Sequence, residues 1–469
     1  MSRIPVEKIK KILVIRSDAI GDMALTLPAI KTLKDTYPHL HITVLASPIN
    51  SQLIQHLDFI DEILLKESPK GLIESWKYSR KLKQHHFDCA IHFRTKGSVA
   101  WACKWAIKYN IGHKNFLGLW PVYGRHGIWH KPHNRTQHVS EAFMQFLKPL
   151  GIEPNAHSAL HIPVPDTWKQ EASTHLTNKR DSVPLICIHP GVGHGNRPVK
   201  PAQYIDYIKQ LRQQRDCDIV ITGASKAEIE YKDQILAEGF PNIIDVAGKT
   251  SIQSLGGILS QCDAYVAVDT GPSHMATSTG VPQLAIFPSK RVKPLSWGPW
   301  NNRHFIIRNN HNCFYDCPHQ HCPYDICSND IDILNMVDKT LKLLDGDGVS
   351  GYEAQQEYWF KACMNVVILY DKNTKEDATK IVSTYKEWGI HCFSTHYNDP
   401  SLKTLLLEND ISIVHNLPQK RKIRLWLLCQ STNTKLHHPP LLLHERPVMQ
   451  SYSNCVSDYI KRFSKRGFF

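Results

Sequence analysis

Residues 268–274 read Val268-Asp269-Thr270-Gly271-Pro272-Ser273-His274, behind the apolar run Ala264-Tyr265-Val266-Ala267 and ahead of Met275-Ala276-Thr277. The run predicts a strand buried on both faces, and the segment after it predicts a helix. A strand that empties through small residues into a helix leaves backbone N–H groups unpaired at the helix start, where the helix dipole favours an anion. The stretch predicts a phosphate seat at the carboxyl end of a parallel strand, and so a doubly wound α/β fold.

The same alternation runs upstream: strands at 185–189, 218–222 and 242–246, with helices at 204–213, 227–238 and 252–260. Together these make one domain of ordinary size. Its first strand leads into Pro190-Gly191-Val192-Gly193-His194-Gly195-Asn196-Arg197. This is not the dinucleotide fingerprint, because Asn196 holds the place of the third glycine. Gly191 can still bring backbone close to a phosphate, with Arg197 or Lys200 supplying charge. Gly248-Lys249-Thr250 is not a P-loop, because Ile243 stands where the first glycine is required, and an ATPase is disfavoured.

A second such unit lies at the start of the chain. Lys11-Ile12-Leu13-Val14-Ile15-Arg16 predicts a strand, Ser17-Asp18-Ala19-Ile20-Gly21-Asp22 the turn after it, and residues 41–45 the next strand. Between them Leu25, Leu27, Ile30 and Leu33 recur at helical spacing, with Thr26 as cap and Pro28 in the first turn. Residues 87–93 extend the sheet, and residues 137–141 open a helix running to about 150. Asp22 stands at the strand's carboxyl end, either capping the helix or facing a cleft. Residues 96–135, rich in aromatics and bases, suit a sugar or an anionic acceptor as well as they suit an irregular insertion. The polar stretch 174–181 is expected to link the two units.

At 469 residues the chain predicts two or three domains, and its 42% hydrophobic and 21% charged residues are those of a globular protein. Lys plus Arg (56) exceed Asp plus Glu (43) by 13, which favours anionic partners: nucleotides, phospholipid or a phosphorylated glycolipid. Nucleic acid ranks lowest, because the bases are dispersed and no recognition motif accompanies them. No apolar run approaches the ~18 residues of a membrane helix, and residues 1–10 hold no signal-peptide core, so a cytoplasmic location is expected. Thirteen cysteines, an odd number, point to reduced thiols.

Four of those thiols, Cys313, Cys317, Cys322 and Cys327, cluster with three histidines, a donor set suited to a structural zinc or iron, although a packed thiol loop serves as well. Residues 331–344 predict an amphipathic helix that closes the second domain. Beyond a linker at 345–348 the chain continues as a small α/β appendage with strands at 364–370, 391–394 and 411–414 and a helix at 375–388. Bases mixed with aromatics at 420–426 and 459–469 suit an anionic membrane surface or a solvated basic face. The domains expected are 1–173, 174–345 and 346–469.

Arg16 to Asp22 with Pro28 following, His189-Pro190-Gly191, Asp269 to His274, and Trp297-Gly298-Pro299 resemble, in that order, the motifs of the family nine glycosyltransferases, the bacterial lipopolysaccharide heptosyltransferases. The likeness covers about residues 10–345. It implies a GT-B architecture: two Rossmann-like domains facing a cleft, the second binding a nucleotide sugar, usually ADP-heptose. It implies an acceptor that is an anionic lipid A-linked core oligosaccharide, reached by peripheral contact with the cytoplasmic face of the inner membrane. Asp22 would be the general base of an inverting transfer. Thr270 and Gly271, with Ser273 in the same turn, would hold the diphosphate, Asp269 and His274 would lie near the donor sugar, and Glu228 would meet the ribose. Gly191, Arg197 and Lys200 would complete the donor site; Arg16, Arg94, Lys96 and Arg125 would serve the acceptor. No cofactor is implied for the transfer, since helix dipoles and bases neutralise the leaving diphosphate.

The chain departs from the pattern after the glycine-rich loop, where Pro198 and Lys200 replace the family's lysine and tryptophan. Arg197 or Lys200 then substitutes, or the donor differs. Alternatives are a transferase of the same fold using another nucleotide sugar or a protein acceptor, and a non-catalytic sugar- or nucleotide-binding module.

Overall fold

The computed structural model describes residues 3–94, 96–113, 120–128, 138–153, 161–191, 197–289, 292, 294–300, 302–308, 326–329, 331–348 and 379, together with strands at 365–370, 391–396, 411–416 and 441–443. Strands β1 (Lys11–Arg16), β2 (His41–Ala46), β3 (Glu62–Leu65), β4 (Cys89–Arg94) and β5 (Tyr109–Ile111) form a parallel sheet in the order β3-β2-β1-β4-β5. The period-two arrangement of a strand sends alternate side chains to opposite faces. Ile12, Val14, Ile42 and Val44 therefore join one core, and Leu13, Ile15 and Leu45 another. The first is covered by α1 (Ile20–Thr36), α2 (Pro48–Ile54) and, after the short α5 (Trp120–Tyr123), by α6 (Val139–Met144). The second is covered by α3 (Gly71–Gln84) and α4 (Gly97–Ala106).

A second parallel sheet runs β11-β10-β9-β6-β7-β8, from β6 (Leu185–His189), β7 (Asp218–Ile221), β8 (Ile243–Asp245), β9 (Ala264–Val268), β10 (Gln283–Ile286) and β11 (His304–Ile307). On one face α8 (Pro201–Gln214) and α14 (Ile333–Leu344) bury Tyr204, Tyr207, Met336 and Val337 against Ile186, Ile219 and Val266. On the other lie α7 (Asp166–His175), α10 (Ile252–Leu259) and α11 (Gly271–Thr279). Helix α9 (Lys226–Leu236) follows β7, and the single turns α12 (Pro294–Trp297) and α13 (Ile326–Asn329) complete this half. A third sheet, also parallel, orders β12 (Asn365–Tyr370), β13 (His391–His396), β14 (Ile411–Asn416) and β15 (Leu441–Leu443) as β13-β12-β14-β15.

Three expectations need correction. Helix α1 begins at Ile20, not at a Thr26 cap, and Pro28 sits inside it; the Thr26 hydroxyl donates to the Asp22 carbonyl 2.7 Å away. Proline removes only its own N–H from the ladder, and burial of Leu25, Leu27 and Ile30 holds the helix across it. Thr174 belongs to α7, not to a linker. Trp168 and Ala172 of that helix pack so tightly on α10 that a Cβ at Gly256 would lie 2.7 Å from the Trp168 ring, and the Ile162 N–H already donates to Ser278 of the second half. The helix opened near 137 is α only to Met144 and then tightens to a 3-10 turn through Leu150. The helix expected at 375–388 lies outside the described residues apart from Thr379, as do the basic segments 420–426 and 459–469. No described helix is long and apolar enough to cross a membrane.

Candidate active site

The carboxyl ends of β1 and β9 each feed a helix, and the two helices meet at their N-termini. A Cβ on Gly21 would lie 2.7 Å from Cδ2 of His274 and 2.9 Å from Cα of Gly271, so only glycine fits between α1 and α11. This approach brings Asp22, in the first turn of α1, beside the Asp269 to His274 turn.

Arg16, the last residue of β1, is 2% exposed and holds both carboxylates of the loop after it. Its Nη2 pairs with Oδ1 of Asp22, its Nε lies 3.1 Å from Oδ1 of Asp18, and its guanidinium sits 4.6 Å over the Phe143 ring. Burial lowers the guanidinium's pKa, while Asp22 and then Asp18 oppose that shift. Burial pushes Asp18 up, and Arg16 opposes it. Arg16, expected to serve the acceptor, is here buried and engaged by two carboxylates, an arrangement that restrains the Asp22 side chain. Asp22 keeps 28% of its side chain exposed.

On the far side of the Gly21 contact, α11 starts at Thr270 without a side-chain cap. The N–H groups of Ser273 and His274 return to the Thr270 carbonyl, and Pro272 has none, so Thr270 and Gly271 carry the N–H groups left for a ligand. The Ser273 hydroxyl donates to the Val268 carbonyl at 2.8 Å and lies 3.1 Å from the Thr270 hydroxyl, which stiffens the turn without occupying it. Asp269 Oδ1 lies 3.3 Å from His274 Nε2. Burial, with the charge of Asp22 adding to it, pushes Asp269 up to about 8. Burial pulls His274 down to about 4 against the upward pull of Asp22. At neutral pH the proton of this pair stays on the carboxyl, and the pair is uncharged. The Trp297 ring is 6.1 Å from that of His274.

Glu228 caps α9 from N3: its Oε2 accepts from the N–H groups of Ala224 at 2.7 Å and Ser225 at 2.8 Å. Its Oε1 lies 3.4 Å from His189 Nε2, and His189 Nδ1 is 3.0 Å from the Thr222 hydroxyl. Burial pushes Glu228 up, but His189 and the two N–H groups outweigh it and bring the carboxyl down to about 2. Gly191 is wedged against this pair, since a Cβ there would lie 2.6 Å from Oε1 of Glu228. Arg197 and Lys200 stand just ahead of α8 and are half-buried.

Of the residues expected to serve an acceptor, Arg94, Lys96 and Arg125 are exposed, and Arg94 Nε lies 3.7 Å from Asp18. Cys313, Cys317 and Cys322 lie outside the described residues, as does the side chain of Cys327. Among the described residues no three His, Cys, Asp or Glu side chains group closely enough to hold a metal ion.

Two residues that sequence reasoning did not single out matter here. Asp18 shares Arg16, and its carbonyl accepts from Asn50 Nδ2 at 3.2 Å. His138 caps α6 by accepting from the Ser140 N–H at Nδ1, while its Nε2 donates 3.0 Å to the Gly298 carbonyl of the other half. That double role requires the neutral tautomer, and burial pulls His138 down to about 3. Asp18 was legible in the 16–22 motif; nothing in the sequence marks His138.

Comparison with known proteins gives the family and the fold. The family model for glycosyltransferase family 9 (heptosyltransferase) matches residues 75–326, just over half of the chain. The lipopolysaccharide core heptosyltransferase OpsX of Haemophilus influenzae is 23% identical over 305 residues, covering 64% of this chain and 84% of that protein. The lipopolysaccharide heptosyltransferase 3 of Escherichia coli is 24% identical over 302 residues, 60% of this chain and 82% of its own. The crystal structure of a family 9 glycosyl transferase from Veillonella parvula superposes with a TM-score of 0.62 at 19% identity, over 72% of this chain and 98% of that one, which shows a common fold.

Proposed function

The chain belongs to glycosyltransferase family 9, and on that premise we propose that it transfers heptose from ADP-heptose to a lipopolysaccharide core acceptor, inverting the anomeric centre with Asp22 as general base. The observation that carries this reading is the contact of α1 with α11 at Gly21. A carboxylate beside an uncapped helix N-terminus supports a base and a diphosphate seat acting together.

In this reading Arg16 occupies Oδ1 of Asp22 and turns Oδ2 toward the acceptor. The acceptor hydroxyl gives its proton to Asp22 as its oxygen bonds to the anomeric carbon. The bond from that carbon to the diphosphate breaks on the opposite face, and ADP leaves with the electron pair. The N–H groups of Thr270 and Gly271, the α11 dipole, and Arg197 and Lys200 take up the charge on the diphosphate. The uncharged Asp269–His274 pair offers hydrogen bonds to the sugar without adding negative charge beside the leaving group. Glu228 meets the ribose. Arg94, Lys96 and Arg125 meet the anionic acceptor, which lies at the cytoplasmic face of the inner membrane. The transfer requires no metal.

Replacing Asp22 tests the assignment. Asp22→Asn keeps the shape and should lower transfer roughly 10²–10⁴-fold. ADP-heptose binding, followed by calorimetry with ADP, UDP and GDP as comparators, should change little. Transfer within a few-fold of the wild type would remove Asp22 as base; binding of UDP or GDP in preference to ADP would remove the donor assignment.

A further inference from the structure

Helix α3 presents an apolar stripe to solvent. Leu72 is 70% exposed, Ile73 74% and Trp76 52%, and Leu65 just ahead of the helix is 59% exposed. Spacings of three and four place Leu72, Ile73, Trp76 and Arg80 along one side of the helix, and the opposite side buries Ser75, Tyr78, Ser79 and Leu82. Helix α4 packs beside α3 over the same face of the sheet, in a common core that includes Tyr78, Leu82, Val99 and Cys103. It carries Trp105, 37% exposed between the exposed Lys104 and Lys108 and with its ring 6.0 Å from that of the half-buried Trp101. Single exposed apolar residues are ordinary; three large ones on one side of α3, with an exposed tryptophan on the helix packed beside it, mark an interaction surface.

The charge around this surface has one sign. Residues 66–108 hold ten lysines and arginines against three acids, a net +7 of the chain's +13. The three acids are engaged: Glu67 with Lys81, Glu74 with the Lys70 N–H, and Asp88 with the N–H groups of Lys10 and Lys11. The Arg80 guanidinium lies 5.3 Å over the Trp76 ring. Bases flanking tryptophan and branched aliphatics are what a bilayer of anionic lipid complements, with apolar side chains among the acyl ends and cations at the phosphates.

Position ties the surface to the candidate site. Ile49 (56% exposed), Leu65, Leu72 and Ile73 lie on segments that leave the carboxyl ends of β2 and β3, the end of the sheet where Asp22 stands. Two hydrogen bonds anchor those segments to the loop after β1: Asn50 Nδ2 donates to the Asp18 carbonyl, and Lys66 Nζ to the Ser17 carbonyl, each at 3.2 Å.

We propose that the α3–α4 surface docks the protein on an anionic lipid bilayer, with Leu65, Leu72, Ile73 and Trp76 entering the headgroup region and the Asp22 end of the sheet turned toward the membrane. The docking stands on the exposed surface alone; its use in reaching a lipid-borne acceptor rests on the transferase reading above.

Co-sedimentation of the full chain with vesicles of phosphatidylglycerol and phosphatidylethanolamine, against phosphatidylcholine alone, tests it. Binding to the anionic vesicles should be about tenfold stronger and should weaken as salt is raised. The triple variant Leu72→Ser, Ile73→Ser, Trp76→Ser should lose about tenfold or more of that partitioning, with its thermal midpoint little changed because the side chains are solvent-exposed. Equal binding by wild type and variant, or no anionic preference, overturns the proposal. So does a wild-type dimer that the substitutions convert to a monomer without altering vesicle binding, since a second copy then covers the surface. On a soluble, deacylated acceptor the variant should match the wild type. Absence of transfer by both would sink the transferase reading and leave the docking result standing.

Discussion

Gly21→Ala probes the meeting of α1 and α11 directly. The added methyl would stand 2.9 Å from Cα of Gly271, a backbone atom, and 2.7 Å from Cδ2 of a His274 that is itself buried. Ordinary carbon contacts lie near 3.5–4.0 Å, so the helices must part by about 1 Å. Overpacking of this kind costs about 1–3 kcal/mol, and alanine's helix preference over glycine returns up to about 1 kcal/mol. A net loss of about 1–2 kcal/mol in urea denaturation is expected. Gly271→Ala is the internal control: its methyl would lie 3.0 Å from Cγ2 of Ile20, a side chain that can give by a few tenths of an ångström, and an ordinary 3.6 Å from the Gly21 N, so its stability should stay near that of the wild type. In transfer assays a shift of about 1 Å between base and donor should lower kcat for Gly21→Ala about 10²-fold, with the KM for donor changed only a few-fold. A Gly21→Ala protein as stable and as active as the wild type would refute the close approach. So would Gly271→Ala proving the less stable of the two.

Other outcomes follow from the buried charges. Arg16→Met leaves Asp18 and Asp22 without their cation; breaking a fully buried pair costs about 3–5 kcal/mol, and the 26% and 28% exposure of the two carboxylates reduces this to about 2–3 kcal/mol. Denaturation midpoints should show that loss and kcat should fall, with Arg16→Lys recovering only part, because an ammonium cannot span both carboxylates; full activity in Arg16→Met would deny Arg16 its hold on Asp22. His92, His138 and His304 are buried and pulled down by burial to about 4, 3 and 4, against an ordinary 6.5 in the unfolded chain. Below pH 6.5 the unfolded state therefore binds more protons. Their contribution is complete above pH 6.5 and lost as pH falls toward about 4, at about 2 kcal/mol each by pH 5. Urea midpoints at pH 7 and pH 5 measure it, and His138→Gln should flatten the slope by one proton.

The sequence disclosed what depends on runs of buried apolar residues. Strands β1, β6 and β9 stand where their residues predicted them, because each is covered by helices on both faces and shows no polar interruption. The start of α1 was hidden, since Ala19 offers no cap oxygen and Pro28 resembles a first-turn residue. Helix α3 was not read at all: its exposed face bears Leu72, Ile73 and Trp76, which blur the apolar and polar sides that make a helix legible. In the candidate site, the motifs drew attention to Asp22 and to Asp269 to His274, and the structure brings these segments together. The burial of Arg16 was hidden because a charge at a strand end ordinarily faces water; it follows from two carboxylates brought back to it by the loop it begins. His138 acts across 160 residues, a distance no local pattern encodes.

The contact at Gly21 and Gly271 also has an electrostatic sense. Each helix N-terminus carries about half an elementary positive charge, so α1 and α11 meet as like poles. Asp22 answers one pole permanently, and Arg16 in turn spends part of that charge. The other pole has Asp269 beside it, whose carboxyl burial pushes up to about 8, and feels Asp22 only across the contact. An anionic ligand bound at Thr270 and Gly271, as the proposed reading has it, would add counter-charge between these two like ends and favour the halves held together while it is bound.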